Sequence, residues 1–481
     1  MTTDPHTLVW FRNDLRLRDN PALHAAAESG QKVICLYIWE DGYDEFRPLG
    51  GARKWWLDKS LRSLATDLDS IGGKLILRRC DRKKTLTVIE EIVDAFNVNV
   101  IVWNRRYAPQ EIDRDREIKA HFCDRDLSVS TFNGSLLAEP WTVKTQKGDP
   151  YRVFTPFWNS LKAEYARSHP DGVPELPFQT DVDSEDLDDW KFHPKNPDWS
   201  SGLEDTWVPG EDGARKRLSD FLETELKGYS ENRDRPDISG TSKISPYLSF
   251  GEISPQSVWE ITRSRMDEDT SLEKDGWSFL REIGWRDFCH SLLYQATELH
   301  RQNWNSKFDR FEWETDEFAQ TKWSKGLTGY PIVDAGMRQL WTTGWMHNRV
   351  RMIVASFLTK HLRQHWTVGE EWFWDTLVDA DLASNPANWQ WVAGSGADAA
   401  PYFRIFNPIT QGEKFDPNGD YVRQWVPELK KVPTKYLFSP WTAPKSTLTQ
   451  AGVTLGQTYP KPIVSHDVAR KAALAAYEEI S

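Results

Sequence analysis

Five short runs rich in β-branched and aromatic residues occupy the first quarter of the chain: HTLVWFR (6–12), KVICLYIW (32–39), GKLILRRC (73–80), VNVIVWN (98–104) and LSVSTFN (127–133). Runs of this length and composition read as strands. Between them, residues 20–29, 55–71 and 84–96 repeat apolar side chains at helical spacing. Strand and helix in alternation predict a parallel sheet covered on both faces, a doubly wound, Rossmann-like α/β domain over residues 1–133. Ligands of such sheets sit beyond the strand C-termini. Arg12, Trp39 and Glu40 stand there, and Arg53 opens the next helical stretch. A plain scaffold domain is the alternative reading.

Strand signals all but vanish afterwards. Residues 134–207 are Pro- and Asp-rich and predict an interdomain linker, since long structureless connections are uncommon inside one domain. From 208 to 481 the text predicts a large all-α domain, with helical periodicity at 214–226, 254–265, 277–297, 330–342, 347–365, 370–379 and 468–480.

The chain has 481 residues and a net charge of −12, from 60 basic and 72 acidic side chains. That sum alone argues against a nucleic-acid partner, but the charge is uneven. Residues 181–190 (DVDSEDLDDW) hold six acids, whereas 335–369 hold none and carry Arg338, Arg349, Arg351, Lys360 and Arg363. A basic face of that kind is what phosphates meet. Cys35, Cys80, Cys123 and Cys289 are scattered, without metal-ligand spacing, and read as reduced thiols of a cytoplasmic protein. No metal site, signal peptide or membrane span is expected. Trp occurs 25 times, which suggests an aromatic core or the handling of planar cofactors or bases.

Residues 371–408 (EWFWDTLVDADLASNPANWQWVAGSGADAAPYFRIFNP) place Asp379, Asp381, Asn385, Trp389 and Trp391 within thirteen positions. On residue types alone this is a Trp-rich helical core with a polar turn. Buried acids there would need partners. Together with ITQGEKFDPNGDYVRQWVPEL after it and FRNDLRLRDNPAL near the N-terminus, the stretch resembles the DNA photolyase and cryptochrome family. The likeness runs through almost the whole chain and is greatest to bacterial class III photolyases that act on cyclobutane pyrimidine dimers (CPD).

The resemblance implies an FAD cofactor, active as FADH−. Gly240-Thr241-Ser242-Lys243-Ile244-Ser245-Pro246 offers hydroxyls and backbone amides at a loop-to-helix junction, which suits phosphate oxygens; a helix cap is the bland alternative. In the family this segment grips the pyrophosphate, and Tyr229 packs nearby. Trp345, Asn348 and Arg351 also fall on flavin-binding positions. By the same resemblance Asp379 pairs with Arg351 over the ring, Asp381 faces its polar edge and Asn385 faces N5. An amide at N5 favours a repair enzyme, since plant cryptochromes place an acid there and insect ones a cysteine.

A dimer flipped from DNA needs aromatic walls, hydrogen-bond donors and a basic rim. The resemblance gives Glu282 a thymine carbonyl, sets Trp285 and Trp391 against the bases, and has Asn348 and Met352 line the pocket. Arg233, Arg349 and Arg404, with Trp285 and Trp391, form its DNA-binding set. Each could alone be core or surface. Members that repair (6-4) photoproducts carry histidines where Asn348 and Met352 stand, so the CPD is the implied lesion. Trp389, Trp366 and Trp313 fall on the electron-transfer triad. The first domain implies an antenna chromophore, 5,10-methenyltetrahydrofolate or else a deazaflavin, with Gln110 and Glu111 added to the candidates Arg12, Trp39, Glu40 and Arg53.

The expectation is a light-driven deoxyribodipyrimidine photo-lyase, a monomer acting on dimer-containing DNA in the bacterial cytoplasm, away from membranes. The main alternative is a cryptochrome-type blue-light photoreceptor, disfavoured by the short stretch after WVPEL. Repair restricted to single strands, or electron transfer without DNA, are further alternatives.

Overall fold

In the computed structural model, which describes residues 4–41, 47–165, 170–399 and 403–480, the five expected strands form one sheet. They are β1 (His6–Phe11), β2 (Lys32–Glu40), β3 (Leu75–Cys80), β4 (Val98–Asn104) and β5 (Ser128–Phe132). All pairs are parallel, in the order β3-β2-β1-β4-β5. The order reverses between β1 and β4, which is the topological switch point. β1 is buried along its whole length, as its unbroken apolar run requires for a central strand covered on both faces.

The helix Pro21–Glu28 starts where Asn20 accepts the Leu23 amide hydrogen and Pro21 supplies a helical φ. Gly51–Ser70 and Thr85–Ala95 follow the expected periodicity. The helix Pro109–Cys123 was not foreseen. Its buried face holds Glu111 and Asp115 beside Ile118 and Phe122, so apolar spacing alone misses it. Leu8, Trp10, Ile34, Ile101 and Trp103 form the core against the sheet.

By packing, the described chain divides into two compact units, Met1–Thr224 with Ser242–Thr297, and Glu225–Thr241 with Glu298–Ser481. The boundaries at 133 and 207 follow composition; the units follow packing. The first unit therefore includes the helices Glu211–Thr224, Pro255–Glu268 and Glu273–Gln295. The stretch expected as linker contains the helix Phe154–Glu164, with Phe154, Phe157, Trp158 and Leu161 buried. Their spacing is helical, but the surrounding Pro and Gly obscure it.

The second unit is built from helices around a core that includes Trp323, Trp366, Phe373 and Trp389. The helix expected over 347–365 is broken. Asn348–Ser356 passes into a π-helical turn, Phe357–His361. Trp366–Thr376 ends earlier than expected, so Asp379 and Asp381 lie on the turn before Ser384–Ala393. A Cβ at Gly369 would lie 2.1 Å from the Trp389 ring. Only glycine lets these two helices come so close.

Among the described residues no helix is long and apolar enough to cross a membrane, and no cluster of potential metal ligands occurs. The four cysteines are free.

Candidate functional site

In the second unit the turn after Trp366–Thr376 brings Asp379 to Arg351. The guanidinium donates through Nη1 at 3.1 Å and Nη2 at 2.9 Å to the two carboxylate oxygens. Nε of Arg351 donates to the Met346 carbonyl at 2.7 Å. Three donors in fixed directions hold the planar group still. The carboxylate side chain is 4% exposed and the arginine 25%. The pair expected from sequence is therefore formed, and its cationic half reaches the surface.

Asn385 sits in the first turn of Ser384–Ala393. Its amide nitrogen donates to the Glu370 carbonyl at 3.0 Å and to the Glu370 carboxylate at 2.7 Å. A carboxamide has two N–H donors and one oxygen acceptor. With the nitrogen on Glu370, Asn385 meets any further partner as an acceptor. Asp381 accepts the Ala383 amide at 2.8 Å and the Ser384 amide at 2.5 Å. It thus satisfies orphan donors at the helix start. Glu370 was missed in the sequence. Fifteen residues separate it from Asn385, and no local pattern announces such a contact.

Asn348 and Met352 lie one turn apart on Asn348–Ser356, hence on one face. Arg349 pairs with Asp234 at 2.7 Å and packs on Phe415. Arg233 lies over the Tyr229 ring, which is buried. The Arg351 guanidinium also stands 5.9 Å from the buried Trp345 ring. Trp391 donates from its indole to the Asp398 carbonyl at 3.0 Å. It lines a small cavity with Phe308, Lys360, Phe403 and Arg404. The motif residues 400–402 lie outside the described residues.

In the first unit Glu282 and Trp285 occupy the helix Glu273–Gln295. The Trp285 ring stacks on Phe154 with centroids 3.6 Å apart and planes 9° from parallel. One indole face is thereby occupied, and the ring is fixed as a platform. Phe154 was not among the sequence candidates because its helix lay in the expected linker. The helix Ser245–Phe250 does begin at the hydroxyl-rich loop. Lys243 has φ of +51°, the left-handed region, and the Ser242 carbonyl accepts from Arg217 at 2.8 Å. Thr241 belongs to the second unit.

Most of the antenna candidates are tied to neighbouring side chains. Arg12 is 3% exposed and spends Nη1 on both oxygens of Asp115, at 2.8 and 2.7 Å. Glu40 and Asp115 share Arg114, and Glu111 pairs with Arg106 at 2.9 Å. Burial alone would push the Glu40 carboxyl up, but Arg114, Arg82 and Arg106 overcome it and hold it at about 2. Arg53 donates to Ser249 at 2.6 Å and lies over Phe250. Trp39 packs against Trp190 and Phe192. Gln110 is half-buried at the start of Pro109–Cys123.

The three triad candidates share the second unit. Trp389 is 2% exposed and Trp366 is fully buried, while Trp313 is half-buried. His365 lies between two of them, with its ring 5.0 Å from Trp313 and 5.5 Å from Trp366.

Comparison with known proteins places these features. Residues 7–177 match the family model described as DNA photolyase, and 279–479 match the FAD binding domain of DNA photolyase. The chain is 51% identical over 477 residues to a deoxyribodipyrimidine photo-lyase of Agrobacterium fabrum, covering 98% of each chain. It is 38% identical to cryptochrome-2 of Arabidopsis thaliana, covering 98% of this chain and 78% of that one. The crystal structure of a bacterial class III photolyase from Agrobacterium tumefaciens superposes with a TM-score of 0.94 at 50% identity, covering 100% of this chain and 98% of the other. The chain therefore belongs to the DNA photolyase and cryptochrome family, on the side of the bacterial class III photolyases.

Proposed function

We propose that this protein is a deoxyribodipyrimidine photo-lyase that repairs cyclobutane pyrimidine dimers in DNA with light and FAD. The observation that carries the reading is the orientation of Asn385. Its amide nitrogen is held by Glu370, so it offers an acceptor, which suits the N5–H of a reduced flavin. The bound flavin supplies the light-absorbing, one-electron chemistry.

The protein's own groups bind and position. Arg351 and Asp379 present a fixed ion pair to the ring, Asp381 lies at its polar edge, and Trp345 packs beside it. Thr241, Ser242, Lys243, Ile244 and Ser245 hold the phosphates, and Tyr229 packs nearby. Glu282 hydrogen-bonds a dimer carbonyl. Trp285, kept flat by Phe154, and Trp391 press on the bases, while Asn348 and Met352 line the hole. Arg233, Arg349 and Arg404 hold flanking phosphates; Arg349 exchanges Asp234 for one of them. Such contacts make affinity fall steeply with salt. Trp389, Trp366 and Trp313 carry electrons to the flavin when it must be reduced.

Residues 1–133 serve as the antenna-binding domain, 134–207 as connector and 208–481 as the FAD- and DNA-binding domain. The antenna is a folate of the 5,10-methenyltetrahydrofolate type. A deazaflavin is the alternative, and Arg12, Trp39, Glu40, Arg53, Gln110 and Glu111 are the residues proposed to hold the antenna. The protein works as a monomer in the cytoplasm.

The test is to illuminate purified, chemically reduced protein with an oligonucleotide carrying one thymine dimer and to count intact dimers. Loss of the dimer only in the light is expected. Flavin-loaded protein that leaves every dimer intact would turn the reading to a blue-light photoreceptor.

A further inference from the structure

The three tryptophans of the electron path differ in one respect. The indole N–H groups of Trp389 and Trp313 are buried without a hydrogen-bond partner. That of Trp366 donates to the side-chain oxygen of Asn303 at 2.8 Å. Asn303 in turn donates from its amide nitrogen to the carboxylate of Asp309 at 2.8 Å. Asp309 is exposed and accepts from the surface side.

We infer that Asn303 and Asp309 are positioning residues that stabilise a positive charge on Trp366 and so draw the electron hole away from Trp389. The inference rests on the electron path proposed above. Trp366 is fully buried, so no water can solvate a charge there, and a bare buried cation is costly. Trp313 reaches solvent and needs no such help. A carboxamide whose nitrogen donates to a carboxylate becomes a stronger acceptor at its oxygen, because hydrogen bonds in series polarise one another. The negative end of this relay points at the indole nitrogen. His365, on the other side of Trp366, adds no opposing charge: burial pushes its pKa down, against the pull of Asp309.

In the step concerned, one electron passes from Trp366 to oxidised Trp389, which has given its own electron to the flavin. The Trp366 N–H proton stays in place, because an amide oxygen is not a base. Trp313 then refills Trp366, and an external thiol refills Trp313. A partnerless Trp389 has nothing to hold the hole, so the first transfer runs downhill.

The experiment uses the full-length, flavin-loaded protein. Asn303→Leu removes the acceptor, and Asp309→Asn weakens it from an exposed position that folding tolerates. With a thiol present, light-driven reduction of the oxidised flavin should slow about ten-fold in Asn303→Leu, the factor set by losing a hydrogen bond to a charged group, and less in Asp309→Asn. Dimer repair by chemically pre-reduced protein should be unchanged in both. In protein with 15N-labelled tryptophan, the indole signal of Trp366, assigned by its loss in Trp366→Phe, should move upfield in Asn303→Leu. If Trp366→Phe stops photoreduction while Asn303→Leu leaves it at the parental rate, the relay is refuted and the path stands. If Trp366→Phe itself reduces normally, the path fails and takes the relay with it.

Discussion

Two clusters of charged and polar groups lie inside this molecule, and they behave in opposite ways. Beyond the sheet, Arg12, Arg106 and Arg114 pair with Glu40, Glu111 and Asp115, while Nε of Arg12 and of Arg106 is buried without a partner. In the helical unit, Arg351 and Asp379 also pair, but the arginine is a quarter exposed and Asn385 keeps an acceptor for an outside partner. Both clusters contain the residue types expected of a ligand site. In the first the arginines are buried with their carboxylates, whereas in the second the cation reaches the surface. A buried, charge-compensated network rigidifies a scaffold, whereas one with a fixed, outward-facing remainder can recognise a ligand.

The sharpest way to break this contrast is to remove one cation from each cluster. Arg114→Leu leaves Glu40 and Asp115 buried with less countercharge and should cost about 3–5 kcal/mol. Thermal melts should show the loss, while the flavin content of the folded fraction stays at the parental value. Arg351→Leu should lose the flavin instead, read from the ratio of flavin to protein absorbance. If Arg114→Leu also empties the flavin site, the two clusters are not separate in function.

Asn385→Ala comes next. It should keep FAD but remove the acceptor at N5, worth about 1–3 kcal/mol when one partner stays unpaired. Spectroscopic titration should then show the reduced form becoming harder to reach. An unchanged potential would show that the amide does not face the ring.

The dependence on pH separates two buried acids of the first unit. Glu40 sits among arginines; Glu252 does not. Burial pushes the Glu252 carboxyl up to about 8 despite donors on Ser60, the Gly210 amide and Trp56. A raised folded pKa favours the protonated form. The Glu252 contribution is therefore complete below about pH 4.5 and is lost as pH rises towards about 8. Glu40 has the opposite sign, contributing above about pH 4.5 and failing as pH falls towards about 2. Glu252→Gln, which mimics the protonated acid, should flatten the decline in melting temperature between pH 5 and pH 8, a window taken from those values. A parental slope in that variant would mean that Glu252 is not the group responsible.

The smallest expected change is in the stacked pair. Phe154→Leu leaves Trp285 in place but unsupported, and should weaken dimer-DNA binding by roughly the 0.5–1.5 kcal/mol of an aromatic pair. Binding assays at fixed salt would measure it.

Much of this was legible in the text of the chain. The β-branched runs became the five strands, and the central ones are apolar on both faces, which local composition records. The pairing of Asp379 with Arg351 was legible only through family resemblance, since no spacing rule links residues so far apart. The helices Pro109–Cys123 and Phe154–Glu164 escaped, one because its buried face is charged and the other because it sits in Pro-rich text.

What the sequence alone determined is where the five strands and most of the longer helices form and which residue types are available, since periodicity and composition act over a few neighbours. The tertiary structure alone decided which polar groups still have bonds to offer. The partners of Arg12 and Glu40 at the strand ends, Asp115 and Arg114, came from folding alone. Asn385 became an oriented acceptor only once Glu370, fifteen positions away, was seen to hold its nitrogen. Hydrogen bonds are satisfied in space, by whichever partner folding brings within about 3 Å, and the order of residues along the chain does not record that.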